Sequence, residues 1–96
     1  MENATVTVLF RSRRRTEASS EYDSLAPVLL ELARTMPGFI SFETFTKGKE
    51  HLSVIEFETL EQLEAWRDHP DHLKAQEAGR DRIYSSFRIQ VCQLIR

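Results

Sequence analysis

Two periods of hydrophobic and polar residues run along the chain, and together they predict the order of helices and strands. Four segments rich in β-branched and aromatic residues predict strands over 4–12, 39–46, 51–57 and 82–94. Between them, two segments with apolar residues at steps of three and four predict amphipathic helices. The first stripe comprises Tyr22, Leu25, Val28, Leu29, Leu32, Ala33 and Met36, and the second comprises Leu60, Leu63 and Trp66.

Capping and turn residues locate the ends of these elements. Residues 13–19 predict an exposed loop, after which Ser19 or Ser20 offers an N-cap for the first helix. Pro27 leaves a later start open, because proline is tolerated best in the first turn, and the helix would then begin near residue 24. Pro37-Gly38 predicts the end of the first helix, and Lys47-Gly48-Lys49 predicts a hairpin turn. Thr59 and Gln62 form a capping box at the start of the second helix. Pro70 then predicts the start of a short helix, and Gly79 predicts its end.

The resulting order β-α-β-β-α-β predicts an α+β fold, the ferredoxin-like four-stranded antiparallel sheet with its helices on one face. The strands are apolar on both faces, whereas a strand with one wet face alternates cleanly. The second strand alternates Phe39 and Phe45 with Ile40 and Phe42, and the third alternates Leu52 and Val54 with Ile55 and Phe57. Because an apolar sheet face left in water favours aggregation, we expect a homodimer formed by sheet-to-sheet packing.

Length and composition narrow the class of protein. The chain has 96 residues, which is enough for one domain and too few for two, so we predict a single domain over residues 1–96. A formal net charge of −2 does not match the basic surface of a nucleic-acid-binding protein. We expect no signal peptide and no membrane span, and the single cysteine, Cys92, is consistent with a reducing compartment. The cytoplasm is therefore the predicted location.

Several motifs resemble one known family. Over residues 4–94 the chain resembles the antibiotic biosynthesis monooxygenase (ABM) domain of the dimeric α/β-barrel superfamily. The motifs that carry the resemblance are MPGFISFETF, the passage ending in W-x-x-H-P-x-H, and the following G-R with an aromatic strand. The resemblance implies a homodimer and a pocket between the helices and the sheet of each protomer. It also implies, as in some members, oxidation of aromatic polyketides or quinols by molecular oxygen, with no cofactor and no metal.

A related branch of this superfamily binds and degrades haem. The resemblance to that branch would require an Asn on the first strand, a Trp at the end of the second helix and a His ten residues later. Trp66 matches the Trp, but Gln76 stands at the position of the His, and Leu9 and Phe10 occupy the first strand. Haem degradation is therefore not the leading hypothesis.

Residues near the second helix provide the candidate catalytic groups. Trp66 would stack on a flat aromatic substrate, and His72 or His69 would accept a phenolic proton, because an imidazole pKa near neutrality suits a base. Arg80 or Tyr84 would stabilise the resulting oxyanion. The substrate-binding set comprises Trp66, Tyr84, Leu73, Gln76 (or its neighbour Glu77) and Phe57.

Structural roles compete with each of these assignments. Trp66 is equally interpreted as core packing, His69 as the cap of a short helix, His72 as a surface residue and Arg80 as a partner of the helix end. Pro70 between the two histidines spoils the geometry of a metal site, and His51 is interpreted as isolated on a strand edge, so no metal is expected.

Three remaining features have a structural and a functional interpretation. Arg11, Arg13, Arg14 and Arg15 form either a solvated loop or an entrance that attracts an anionic substrate. Glu43 and Glu56 either face the pocket or pair with Arg88 across the sheet, and the pairing is favoured. Cys92, among apolar neighbours, is expected to be buried and inert.

Two functions follow from these residues. The first is a cofactor-independent monooxygenase that acts on a small phenolic or quinol-type aromatic. The second is a dimeric protein that binds such an aromatic without turnover, for which the same pocket suffices.

Overall fold

The computed structural model describes residues 5–95 and confirms the predicted order of elements. Residue 4, where the first strand was expected to begin, lies outside the described residues. The strands are β1 (Val6–Arg14), β2 (Phe39–Lys47), β3 (Glu50–Phe57) and β4 (Tyr84–Gln93), and the helices are α1 (Ser19–Thr35), α2 (Leu60–Arg67) and α3 (Pro70–Ala78). A 3₁₀ turn (Thr16–Ala18) precedes α1, and a π turn (Gly79–Ile83) follows α3.

The four strands form one antiparallel sheet in the order β2-β3-β1-β4. The hydrophobic core lies between this sheet and the helices, where Phe57 and Ala33 are fully buried. The buried core comprises Val6, Val8, Ala33, Ile55, Phe57, Leu63 and Trp66. We call this side of the sheet the covered face. The opposite side, which has Leu9, Leu52 and Val54 at its centre, is the bare face.

A β-bulge changes the predicted alternation of the second strand. The register of β2 against β3 shifts between Phe39 and Ser41, so that Phe39 pairs with Phe57 and Phe42 pairs with Ile55. Both phenylalanines therefore pack against the core on the covered face, although a regular strand would direct them to opposite faces. Of the apolar residues predicted for the two faces of β2, Phe45 lies on the bare face, paired with Leu52.

The edge strand β4 differs most from the sequence prediction. Phe87, Ile89 and Val91 pair with covered-face residues of β1, but they are 46–57% exposed, because the helices lie over the other strands. The alternate side chains of β4 face the bare side and are polar. Cys92 is among them and is exposed, so the expectation that it is buried was wrong.

Three local boundaries also differ. Strand β1 continues to Arg14, so most of the arginine cluster lies in a strand and not in a loop. Helix α1 begins at Ser19 with Ala18 at the cap position and no side-chain cap, and Pro27 lies inside it, because burial of the apolar stripe outweighs the local cost of proline. Gly79 does not adopt the left-handed conformation of a usual helix end. Its missing Cβ instead leaves room for the Tyr84 ring, which would lie 2.9 Å from that atom.

Candidate functional site

Trp66 and His72 form a stacked pair between α2 and α3. Thr59 caps α2 by accepting a hydrogen bond from the Gln62 main-chain N–H at 3.2 Å, as predicted, and this helix buries Trp66. After the turn at His69-Pro70, the first turn of α3 brings His72 back over the indole. The two ring centroids are 4.2 Å apart with an interplanar angle of 28°.

The hydrogen bond of His72 determines which of its ring nitrogens can accept a proton. Nδ1 lies 3.1 Å from the main-chain carbonyl oxygen of Trp66. A carbonyl oxygen only accepts, so Nδ1 carries the hydrogen and Nε2 of the neutral ring keeps its lone pair. Burial lowers the pKa of His72 below its usual value of 6.5, against an opposing contribution from the Trp66 carbonyl. His72 is therefore a neutral imidazole at pH 7, with Nε2 as the proton acceptor.

Further aromatic rings enclose Trp66. Phe57 stacks on it at a centroid distance of 5.7 Å, and Phe42 contacts it edge-on at 6.0 Å. With His72 and Phe57 both lying nearly parallel to the indole, a substrate has little free ring face on which to stack. The indole Nε1 is buried and has no hydrogen-bond partner in the protein. The unsatisfied group of Trp66 is therefore on the edge of its indole and not on its stacked faces.

The other predicted site residues are more dispersed. The interpretation of His69 as a cap is confirmed, since its Nδ1 accepts a hydrogen bond from the Asp71 N–H at 3.1 Å. Gln76 donates to the carbonyl oxygen of Arg67 at 2.9 Å, and Leu73 is 47% exposed. Arg80 is exposed on the π turn. Tyr84, at the start of β4, packs against Phe10 and Tyr22 and not beside Trp66.

A second polar cluster lies on the covered face around His51, which the sequence had suggested to be isolated on a strand edge. That interpretation was wrong, because β3 is an interior strand and His51 is only 6% exposed. Its Nδ1 lies 2.8 Å from Thr46 Oγ1, and its ring stacks on Tyr22 at 4.4 Å with an interplanar angle of 17°. Tyr22 in turn contacts Tyr84 edge-on at 6.4 Å.

Burial perturbs the acid–base groups of this second cluster. It lowers the pKa of His51, with a smaller contribution from the Arg14 charge, and it raises the pKa of Tyr22. Burial likewise raises the pKa of Tyr84 to about 12. At neutral pH the imidazole is therefore uncharged and both phenols keep their protons. Perturbed groups of this kind are concentrated at functional sites, although structural networks also produce them.

Three buried side-chain polar atoms among residues 5–95 have no hydrogen-bond partner in the protein. They are His51 Nε2, Gln62 Oε1 and Trp66 Nε1. Gln62 was interpreted only as a capping residue, yet its side chain lies over Gly38, where an added Cβ would be 1.8 Å from Oε1. The burial of His51 could have been expected only from the alternation of side chains in β3, which places His51 on the same face as Ser53, Ile55 and Phe57.

The charged residues of the sheet are arranged differently from the prediction. Arg13 forms an ion pair with Glu50 at 3.0 Å, and Arg15 Nε donates to the Tyr84 carbonyl oxygen at 3.3 Å, so the arginine cluster is partly structural. The favoured pairing of Glu43 and Glu56 with Arg88 was wrong within one protomer. Strand β1 separates β4 from β3, which carries Glu56, and both β1 and β3 separate β4 from β2, which carries Glu43. Glu56 instead accepts a hydrogen bond from Ser41 Oγ at 2.8 Å.

Metal-binding clusters and membrane-spanning helices are both absent from residues 5–95. Within residues 5–95, no group of three or more His, Cys, Asp or Glu side chains is arranged to hold a metal ion. In the same part of the chain, no helix is long and apolar enough to span a membrane.

Comparison with known proteins gives the family. The family model described as antibiotic biosynthesis monooxygenase matches residues 5–78. The chain belongs to this family. Among curated proteins, it is 28% identical over 90 residues to the uncharacterized protein YqjZ of Bacillus subtilis (strain 168), covering 93% of this chain and 78% of YqjZ.

Solved structures share the fold of this ABM domain. Rv0793 from Mycobacterium tuberculosis superposes with a TM-score of 0.87 at 18% identity, with 97% of each chain covered. SnoaB from Streptomyces nogalater, described as a cofactor-independent oxygenase, has a TM-score of 0.83 at 14% identity, covering 97% of this chain and 95% of SnoaB. At these identities the likeness concerns the fold alone.

Proposed function

We propose that this ABM protein is a cofactor-independent monooxygenase acting on a small phenolic or quinol-type aromatic. The observation that supports it best is the set of three unpartnered polar atoms, His51 Nε2, Gln62 Oε1 and Trp66 Nε1, all buried in one small domain. Buried polar atoms are nearly always hydrogen-bonded, so each such atom calls for a partner. An aromatic ligand with oxygen substituents supplies both donors and acceptors.

The three atoms differ in what they would recognise. Trp66 Nε1 only donates, so it would bind a carbonyl or phenolate oxygen, whereas Gln62 Oε1 accepts and would bind a hydroxyl group. His51 lies four residues beyond Ile55, the β3 residue at the level of Phe42 and Trp66, which corresponds to about 14 Å along the strand. A small aromatic would therefore occupy one of these two ends and not both.

His72 would start the chemistry. Its Nε2 takes the proton of a substrate hydroxyl, and the resulting electron-rich anion transfers an electron to molecular oxygen. Recombination forms a carbon–oxygen bond at a ring C–H carbon, and cleavage of the O–O bond leaves a quinone. One oxygen atom stays in the product, and the other leaves as water with the two hydrogens lost from the substrate.

Other predicted residues would assist from the periphery. Tyr84 keeps its proton because its pKa is about 12, and it lies beside Tyr22 in the His51 cluster. It would therefore donate only to an oxyanion held at that end, and Arg80 is the cationic alternative. His69 would act as a relay beside His72. The description of SnoaB as a cofactor-independent oxygenase supports this class of reaction for a protein of the same fold.

Oxygen consumption with a panel of hydroquinones and anthrones tests the proposal. We expect turnover by the wild type, its loss in His72→Phe, which keeps an aromatic ring on Trp66 but removes the base, and a strong reduction in Trp66→Phe. Lys74→Gln, an exposed change on α3, is the matched control and should keep wild-type activity. Wild-type oxygen uptake no faster than that of His72→Phe across the panel would exclude the monooxygenase.

A binding protein without turnover is the second candidate. The stacking of His72 and Phe57 on Trp66 favours it, because an indole ring that is already covered by two other rings leaves little surface for a reacting substrate. Ligand-induced thermal stabilisation without oxygen uptake or product formation would identify this function.

We also propose that the protein is a homodimer formed through the bare faces of two sheets. Leu9, Leu52 and Val54 at the centre of the bare face and exposed Phe45 beside them support this arrangement, because such a patch is costly in water. Sedimentation equilibrium at micromolar concentration should give twice the monomer mass of 11.2 kDa, and a monomer there would exclude the dimer.

The cytoplasm is our proposed location. The chain has one cysteine, Cys92, and its thiol is free, which is typical of a protein from a reducing compartment. Fractionation of cells that express the protein, with detection in the cytosolic fraction, tests this assignment.

A further inference from the structure

Two side chains of α3 close the carboxyl end of α2. The last four carbonyl groups of an α-helix have no partner inside that helix, and in α2 these include the carbonyls of Trp66 and Arg67. His72 Nδ1 lies 3.1 Å from the Trp66 oxygen, and Gln76 Nε2 donates to the Arg67 oxygen at 2.9 Å. Residues four apart lie on the same side of a helix, so one side of α3 makes both contacts.

Apolar packing by itself holds α3 only weakly. Among residues 70–78, Ala75 is the one buried residue, and Leu73, the largest apolar side chain of the helix, is 47% exposed. Ile83 is fully buried, but it anchors the π turn that follows α3 and not the helix itself. The placement of α3 on α2 therefore depends on the two hydrogen bonds to the end of α2.

The placement of α3 determines what the imidazole of His72 can do. Its ring lies 4.2 Å from the indole of Trp66, and Nε2 keeps its lone pair only while Nδ1 donates to the Trp66 carbonyl. A single hydrogen bond leaves a helix free to rotate about that contact. A second hydrogen bond one turn away removes this freedom, in the way that supporting contacts fix the side chains of a functional site.

We propose that Gln76 is a positioning residue, whose hydrogen bond to the Arg67 carbonyl fixes α3 on α2 and so holds His72 with Nδ1 on the Trp66 carbonyl and the lone pair on Nε2. The inference rests on the proposed role of His72 as the base. It gives Gln76 a different role from the substrate contact that the sequence predicts.

The groups that act electrostatically on His72 lie outside this contact. They are Asp68, whose carboxylate favours the charged imidazole, and His69, which opposes it when charged. Asp68 is itself paired with Arg67, whose Nε donates to its Oδ1 at 2.9 Å. A substitution at Gln76 leaves these groups in place, so a change in the protonation of His72 reports on its position.

Three variants of α3 separate positioning from other roles. Gln76→Met keeps an unbranched side chain of similar size and removes the donor, whereas Gln76→Lys restores a donor that is favourable beside helix-terminal carbonyls. Lys74→Met, at an exposed position of the same helix, is the matched control. Proton–nitrogen NMR correlation spectra of the imidazole rings, recorded as pH varies, show which nitrogen carries the hydrogen. The signals of His72 are those that His72→Phe lacks.

We expect His72 to carry its hydrogen on Nδ1 alone in the wild type, in Lys74→Met and in Gln76→Lys. Gln76→Met should show both tautomers, and its His72 pKa should return toward 6.5 because the ring is less buried. In oxygen uptake, kcat of Gln76→Met should fall about fivefold with KM unchanged, as for the loss of one neutral hydrogen bond. A Gln76 that binds substrate would instead raise KM and leave the His72 signals unchanged.

The outcomes separate this proposal from the monooxygenase. Wild-type His72 with its hydrogen on Nε2, or folded Gln76→Met with an unchanged His72 tautomer and pKa, overturns the positioning role, because a merely structural glutamine would lower only the melting temperature. Failure of Gln76→Lys to restore the single tautomer also overturns it. A wild type without oxygen uptake whose Gln76→Met variant shows both tautomers refutes the monooxygenase and supports the positioning. If Gln76→Met does not fold, Gln76→Glu, whose ionised carboxylate cannot donate, takes its place.

Discussion

Replacing Gly38 with alanine tests how the turn after α1 supports the candidate site. Gly38 has φ of +83°, where an L-residue costs roughly 1–2 kcal/mol. Its added Cβ would also overlap the buried Oε1 of Gln62 at 1.8 Å and so force this half-buried side chain to move. We assign about 1–2 kcal/mol to that displacement, which gives a total loss of about 2–4 kcal/mol in the free energy of unfolding.

Gly48 offers a matched control in the same chain. Its φ is +63°, but an added Cβ would meet no atom within 4 Å. Gly48→Ala should therefore cost only the backbone contribution, roughly 1–2 kcal/mol. In a Gln62→Ala background, Gly38→Ala should fall to the same value. The Thr59 cap survives in that background, because it uses the main-chain N–H of residue 62.

Urea unfolding followed by the fluorescence of Trp66, the single tryptophan, measures the stability of the wild type and of the four variants. The protein concentration must be held constant, since a dimer makes the apparent stability depend on it. The double-mutant cycle isolates the coupling between positions 38 and 62. A coupling below about 0.5 kcal/mol would show that Gln62 does not lie over the turn, and the assignment of Gln62 Oε1 to the site would fail with it.

Three further predictions concern the core, a helix cap and pH. Phe57→Ala should destabilise the protein by about 3–5 kcal/mol in urea unfolding, because Phe57 is fully buried, whereas exposed Val28→Ala should stay within about 0.5 kcal/mol. Thr59→Ala should cost about 1 kcal/mol and shorten α2 by circular dichroism, and no change would contradict the cap. Burial lowers the pKa values of His72 and His51, so the unfolded chain binds protons more readily than the folded one. Stability should therefore fall as pH decreases below about 6.5. In thermal melts at different pH, His72→Gln should weaken this fall, and an unchanged profile would contradict the burial of a neutral His72.

Local patterns were sufficient for the fold and for several boundaries. The caps at Thr59 and His69 and the turn at Gly48 depend on side chains within three residues of each position, so the sequence predicts them directly. The order of elements follows from the same information, because each element must bury its own apolar stripe. The start of α1 was less predictable, since packing of its stripe outweighed Pro27 and the candidate serine caps.

The candidate site was only partly predictable. Trp66 and His72 follow from the helix period and a family motif, and the structure stacks their rings. The role of Gln62 and the enclosure of His51 depend on the turn at Gly38 and on the contact of Tyr22 from α1, which are distant in sequence. No short-range pattern reports such contacts.

The sequence by itself determined the secondary structure, the family and the apolar character of both sheet faces, because these depend on residue type and spacing. Only the tertiary structure decided which strands are edges. The strand order explains why His51 is buried, why Cys92 is exposed and why Glu43 is far from Arg88. Strand order is set by long-range pairing that a one-dimensional pattern does not encode, so the site became visible only once the sheet was assembled.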